Sequence, residues 1–131
     1  MEKVGDLFKS SDWRKEKHVP VIECLDEVDS EEIFTIKVSL GKEIVHPNTT
    51  EHHIRWIQVF FKPNGEEFSY QVGNFEFTAH GESTKGANTG PVYTNPSVTT
   101  ELKINISGTL YAMAYCNIHG LWENAKPIKV K

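Results

Sequence analysis

Two side chains able to hold a transition metal stand three residues apart in Cys116-Asn117-Ile118-His119-Gly120. The run from Thr109 to Tyr115 before them is hydrophobic and strand-like, and the glycine after them marks a turn. A strand end that presents a thiol and an imidazole at Cys-x-x-His spacing brings both within reach of one ion. Two further stretches carry donors of the same kind. His46-Pro47-Asn48-Thr49-Thr50-Glu51-His52-His53 opens as a loop and closes at the start of a strand, and His18 follows Glu16 and Lys17 in a charged segment. Five of the six histidines therefore fall in three short loop-like places, with His80 apart from them.

Adjacent strand residues point to opposite faces, so only one of His52 and His53 can share a centre with the others. Spacing alone does not choose between them. Taking one of the pair, the possible ligands are His18, His46, His52 or His53, His119 and Cys116. Structural zinc closes its shell with four ligands. Four imidazoles and one thiolate suit a five-coordinate, redox-active ion better, with iron the first candidate.

These donors must be positioned by strands. From Glu32 to Leu40, Phe34, Ile36, Val38 and Leu40 alternate with Thr35, Lys37 and Ser39, the period of a half-buried strand. His18–Cys24 reads as a first strand, with Pro20 placing it at an edge or a break. His53–Lys62 is β-branched and aromatic, and Pro63-Asn64-Gly65 ends it with a hairpin signal. Phe68–Ala79 returns, with Gly73 at a bulge position. Gly81–Ser97 is a long polar loop of the kind that covers or serves a site. Val98–Ile106, Gly108–Cys116 and a short terminal Pro127–Lys131 complete the set, and residues 4–17 hold at most a turn or two of helix. Trp56, Phe60 and Phe61 read as core, and Cys24 as a small buried residue. The architecture expected is all-β, an immunoglobulin-like antiparallel sandwich or barrel of about seven strands, with residues 1–131 forming one domain.

Composition narrows the function. At 131 residues, 38% hydrophobic and 24% charged, the chain is large enough to bury a core without staples. The net charge of -4 and the absence of a Lys/Arg stripe argue against nucleic acid. No apolar run approaches the ~20 residues of a membrane span, and Met1–Asp6 lacks the apolar core of an export signal, so the cytoplasm is expected. In that compartment Cys24 and Cys116 are expected to stay unpaired.

Glu16-Lys17-His18-Val19-Pro20-Val21-Ile22, His46-Pro47-Asn48-Thr49-Thr50-Glu51-His52-His53-Ile54 and Cys116-Asn117-Ile118-His119-Gly120-Leu121-Trp122 resemble the three signature stretches of the superoxide reductases. Gly90-Pro91-Val92-Tyr93-Thr94 resembles that family as well, and the likeness runs from about residue 13 to the C-terminus. The resemblance implies one iron per chain, cycling between Fe2+ and Fe3+, with His18, His46, His52 and His119 equatorial and Cys116 axial. It selects His52 over His53. It also matches Glu16 and Lys17 to the pair beside the open coordination position, Lys17 attracting the substrate anion and Glu16 binding the oxidised ion. The chain has no cysteines for an additional rubredoxin-like iron domain, so it resembles the one-iron, neelaredoxin-like form.

The activity implied is reduction of superoxide to hydrogen peroxide with electrons from an external donor, typically rubredoxin. Five protein ligands on a six-coordinate ion leave one position for the substrate. A thiolate opposite that position pushes electron density toward it, as in thiolate-ligated haem. Backbone N–H groups of the turn after Cys116 should reach back to its sulfur and tune it. A homo-oligomer is expected, since sheets of this kind offer edges to pair. Two rivals differ in chemistry. A cupredoxin-like copper protein needs an axial methionine, for which only Met113 is available besides Met1. A non-catalytic immunoglobulin-like binding module would carry its histidines incidentally and hold no stoichiometric metal.

Overall fold

The computed structural model describes residues 1–131. Eight strands follow a 3-10 turn over Val4–Leu7: β1 Val21–Glu23, β2 Glu27–Val28, β3 Phe34–Ser39, β4 Ile54–Pro63, β5 Tyr70–Glu76, β6 Ser97–Leu102, β7 Gly108–Cys116 and β8 Gly120–Val130. They form a three-stranded sheet ordered β1-β3-β6 and a five-stranded sheet ordered β2-β8-β7-β4-β5. This is the two-sheet β architecture expected from the alternation.

Phe34, Ile36 and Val38 of the first sheet share one core with Ile57, Val59 and Phe61 of β4, Leu110, Ala112 and Ala114 of β7, and Ile128. Each fully buried aliphatic side chain in it contributes about 2 kcal/mol. Thr35 and Lys37 face solvent as period two requires, whereas Ser39 is buried beside Leu40.

Four expectations from the sequence are corrected. The last strand is not the short Pro127–Lys131 segment; it starts at Gly120 and pairs with β7 along its length, from Cys116↔Gly120 to Gly108↔Ile128. Its solvent-facing Glu123 and Lys129 hide the pattern. β2 has no counterpart among the expected strands, and it pairs with β8 in parallel, the exception to otherwise antiparallel pairing. Trp56 and Phe60 are only half-buried, because Ile57, Val59 and Phe61 take the inner face of β4. Trp56 instead stacks on Tyr115, centroids 5.9 Å apart. Cys24 is partly buried against the core, and neither cysteine is in a disulfide.

Other expectations hold. β1 is an edge strand beside Pro20. The register of β4 against β5 shifts between Val59 and Phe60, where Gly73 is followed on the partner side by Gln71, leaving Val72 as the extra residue. A second shift, between Ile54 and Trp56 against β7, sets Ile54 opposite Cys116 and leaves Arg55 unpaired. Bulges bend the strand that carries them. This one lies where the loop from His46 to His53 enters β4, beside the end of β7.

Candidate metal centre

The end of β7, the start of β8, the loop before β4 and the segment before β1 meet at one edge of the molecule. Cys116 closes β7 fully buried, and the turn Asn117-Ile118-His119 returns the chain into β8. Gly120 takes φ +81°, a left-handed conformation that closes this three-residue hairpin and that other residues adopt only with strain. The turn sets His119 Nδ1 3.8 Å from the Cys116 sulfur. It also directs the His119 backbone N–H onto that sulfur at 3.4 Å, the tuning contact expected from the sequence.

The other donors converge on this pair. His52 Nε2 lies 3.2 Å from the sulfur and 3.3 Å from His119 Nδ1, and His18 Nε2 lies 3.1 Å from His119 Nδ1. The ligand atoms of His18, His52, Cys116 and His119 all fall within 4.8 Å of one another. His46, the fifth predicted ligand, is outside that group, but its ring stands edge-on to those of His18 and His52, with both centroid distances 4.8 Å. His53 points away and stacks on His80, so of the adjacent pair it is His52 that faces the centre.

Hydrogen bonds on the far side of two of the rings choose the nitrogen that faces inward. His18 Nδ1 donates to Glu16 Oε1 at 2.7 Å, which leaves the Nε2 lone pair for the centre. His46 Nδ1 donates to the Pro47 carbonyl at 2.6 Å, and its Nε2 is buried without any partner. Such an orphan is costly in a protein interior and calls for a ligand.

The residues present fit a transition ion. With donors about 2.1 Å from the ion, as imidazoles are on zinc, neighbouring ligand atoms at right angles stand about 3 Å apart. The spacings of 3.1 to 3.3 Å between donors match that arrangement. Lone pairs that face one another so closely repel unless a cation lies between them.

Electrostatics keep the donors ready. Burial pushes His46 from 6.5 down to about 4, with His18 and His52 adding to the effect. Burial also lowers His18, against the pull of Glu16, and lowers His52. Neutral imidazoles are the form that binds a metal. Burial raises the Glu16 carboxyl, but its bonds from His18 outweigh this and hold it below its usual value.

Glu16 lies behind His18, accepting from both its ring and its backbone N–H. Lys17 next to it is half-buried and enters no ion pair. The centre is closed on the side of His18, His46 and Cys116, and open at His119, which is exposed.

Three supporting residues are not evident as site residues from the sequence. Trp122 stacks on His18 at 4.9 Å and donates its indole N–H to the His119 carbonyl at 3.2 Å. Asn117 accepts from the His53 N–H at 2.8 Å and donates to the Glu51 carbonyl at 2.8 Å, tying the two ligand stretches together. Asn48 meets the buried ring of His80. The only signal for Trp122 and Asn117 is their place inside the third motif. The copper alternative loses its methionine, because Met113 lies on the face of β7 opposite Ala112, Ala114 and Cys116.

The family model described as Desulfoferrodoxin matches residues 10–125. The chain is 61% identical over 129 residues to a neelaredoxin from Megalodesulfovibrio gigas, covering 98% of this chain and 99% of that one. A crystal structure from Thermotoga maritima superposes with a TM-score of 0.97 at 57% identity, covering 100% of this chain and 99% of that one. The reduced form of the superoxide reductase (neelaredoxin) from Archaeoglobus fulgidus gives 0.88 at 52%, covering 95% and 99%.

Proposed function

The chain belongs to the desulfoferrodoxin family, as an oxidoreductase of the superoxide reductase kind, and from that membership we propose that it holds one iron ion through His18, His46, His52, His119 and Cys116. The observation that carries the reading is the convergence of Cys116 with three inward-facing imidazoles, together with the buried, unpartnered Nε2 of His46.

The reaction takes one electron and two protons per superoxide and yields hydrogen peroxide. When bound, the ion supplies the electron. The chain supplies the rest. Lys17 gives a local positive charge that attracts an anion to a protein of net charge -4, and its ammonium holds water from which protons are drawn. Glu16 fixes the tautomer of His18 through Nδ1. The His119 N–H on the Cys116 sulfur withdraws electron density from it and raises the reduction potential of the centre. Trp122 shields the ring of His18 from water. With an oxidised ion bound, the Glu16 carboxylate would be a further oxygen donor available to it.

Electrons enter from a separate donor protein, rubredoxin in this reading, at the face where His119 is exposed. Residues 1–131 act as one iron-binding β domain. They associate as a homo-oligomer through sheet edges such as β5, where Tyr70 is 57% exposed. Two unpaired cysteines suit a reducing cytoplasm, and no helix is long and apolar enough to cross a membrane.

Metal analysis with visible spectroscopy of the Cys116→Ser variant tests the assignment. One iron per chain is expected in the wild type, with a thiolate-to-iron charge-transfer band that the variant lacks. Retention of that band in the variant removes Cys116 from the ligand set.

A further inference from the structure

Outside the centre, a second pair of buried imidazoles grips the loop that joins His46 to His52. His53 and His80 are 7% and 3% exposed and stack with ring centroids 3.5 Å apart and planes 5° from parallel. His53 Nδ1 donates to the Thr49 carbonyl at 2.9 Å. The Thr50 hydroxyl donates to the His80 carbonyl at 2.7 Å. The His80 ring reaches the side chain of Asn48, two residues beyond His46. We propose that His80 is a positioning residue of the metal centre, which sets the place of His46 by holding the side-chain amide of Asn48. This rests on the reading of His46 as a ligand.

The protons on this contact follow from its partners. His80 Nε2 is 2.8 Å from the Phe77 carbonyl. A carbonyl only accepts, so Nε2 carries the hydrogen. Burial holds the ring in its neutral form, and a neutral ring protonated at Nε2 accepts at Nδ1. His80 Nδ1 is 2.7 Å from Asn48 Oδ1, while Asn48 Nδ2 is buried without a partner. Turning that amide by half a rotation points its N–H at the Nδ1 lone pair and gives the orphaned donor its acceptor. The same network thus fixes the tautomer of His80 and the orientation of Asn48.

The hold on Asn48 passes to His46 because little torsional freedom separates them. Pro47 has a locked φ, and a residue that precedes proline is restricted to extended conformations. His46 Nδ1 is already tied to the Pro47 carbonyl. With Asn48 fixed, the direction of His46 Nε2 is fixed as well. The long loop reinforces this from its other end, since Asn88 accepts from the Thr50 N–H at 2.8 Å and donates to both carboxylate oxygens of Glu51.

The test uses the iron-loaded full chain with His80→Ala, His80→Gln, Asn48→Ala and the double alanine variant. Iron release to a chelator, the electron paramagnetic resonance of the oxidised form and thermal unfolding are read on each. His80→Ala and Asn48→Ala should each speed iron release by about tenfold or more, the usual effect of losing a group that orients a ligand, and should alter the resonance. The double variant should add little to either single change, because both remove one contact. His80→Gln should restore slow release, since its amide can accept from Asn48 and donate to Phe77. Ile104→Val, a core change away from the centre, calibrates release against lost stability alone.

If His80→Ala releases iron no faster than the core control at equal loss of stability, with an unchanged resonance, the positioning role is wrong. Should His80→Ala fail to fold, Asn48→Ala removes the same contact from its other side and decides in its place. His46→Ala separates the two readings. An unchanged resonance there overturns His46 as ligand, whereas a changed one beside an unchanged His80→Ala overturns only the role of His80.

Discussion

Acid should destabilise the iron-free protein through His46. The residue is 4% exposed, with Nδ1 committed to the Pro47 carbonyl and Nε2 unpartnered. Burial, reinforced by His18 and His52, lowers it from 6.5 to about 4. In the unfolded chain the same ring titrates near 6.5. Between those values the unfolded state takes up a proton that the folded state refuses, so stability falls as the pH falls. The contribution is intact above about 6.5 and is lost progressively down to about 4, where the folded ring protonates too. At about 1.4 kcal/mol per pH unit, this gap corresponds to about 3 kcal/mol, a large part of the 5–15 kcal/mol typical of a domain. The core that must survive without iron takes only Cys116 from the ligand set. Urea unfolding of iron-free wild type and His46→Gln, from pH 7.5 to 4, measures the effect. Over that range the wild-type midpoint should fall further than the variant's, by about 1 M or more for an ordinary urea dependence. Parallel curves would refute the reasoning, since they would mean that the His46 ring titrates alike in both states.

Lys17→Ala should slow the encounter with superoxide about tenfold at low salt, and the deficit should shrink as salt is added; pulse radiolysis across a salt series checks this, and a wild-type rate at low salt would leave residue 17 an ordinary surface charge. Glu16→Ala should leave that encounter nearly unchanged and alter the ferric spectrum. Gly41→Ala should cost about 1–2 kcal/mol, because Gly41 has φ +89°. It should also speed iron release, since a Cβ there would stand 2.7 Å from the His46 backbone nitrogen; chelator kinetics beside thermal unfolding separate the two effects. Ile57→Ala, in the core and fully buried, should cost about 2–5 kcal/mol in urea unfolding while leaving the visible band of the iron-loaded protein in place.

Much of this protein is legible along the chain because its signals are local. Period-two alternation marks β3, and the hydrophobic run of β7 ends where the ligand motif begins, because a half-buried strand must alternate whatever it pairs with. Donor chemistry is local too, so Cys116 and His119 stand out at three residues' separation. The inner face of β4 was not legible. Trp56, Phe60 and Phe61 are alike in hydrophobicity, and the register shift beyond Ile54 determines which of them turns inward. β8 was hidden by solvent-facing charges, and β2 is a two-residue strand that exists only through its pairing with β8.

At the centre, the residue types alone indicated a redox-active ion with His and Cys donors, while the choice of His52 over His53 came from the likeness to known motifs. Tertiary structure accounts for that choice: His53 is taken up by a stacked partner 27 residues further on, His80, which no spacing could reveal. Orientation was decided in the same way. Which nitrogen of His18 or His46 faces the centre depends on Glu16 and on the Pro47 carbonyl, and the support of Asn48 comes from His80 across the fold. The sequence by itself determined the kind of chemistry, because ligand type belongs to single residues. Tertiary structure decided which lone pairs meet, because direction belongs to the contacts that surround them.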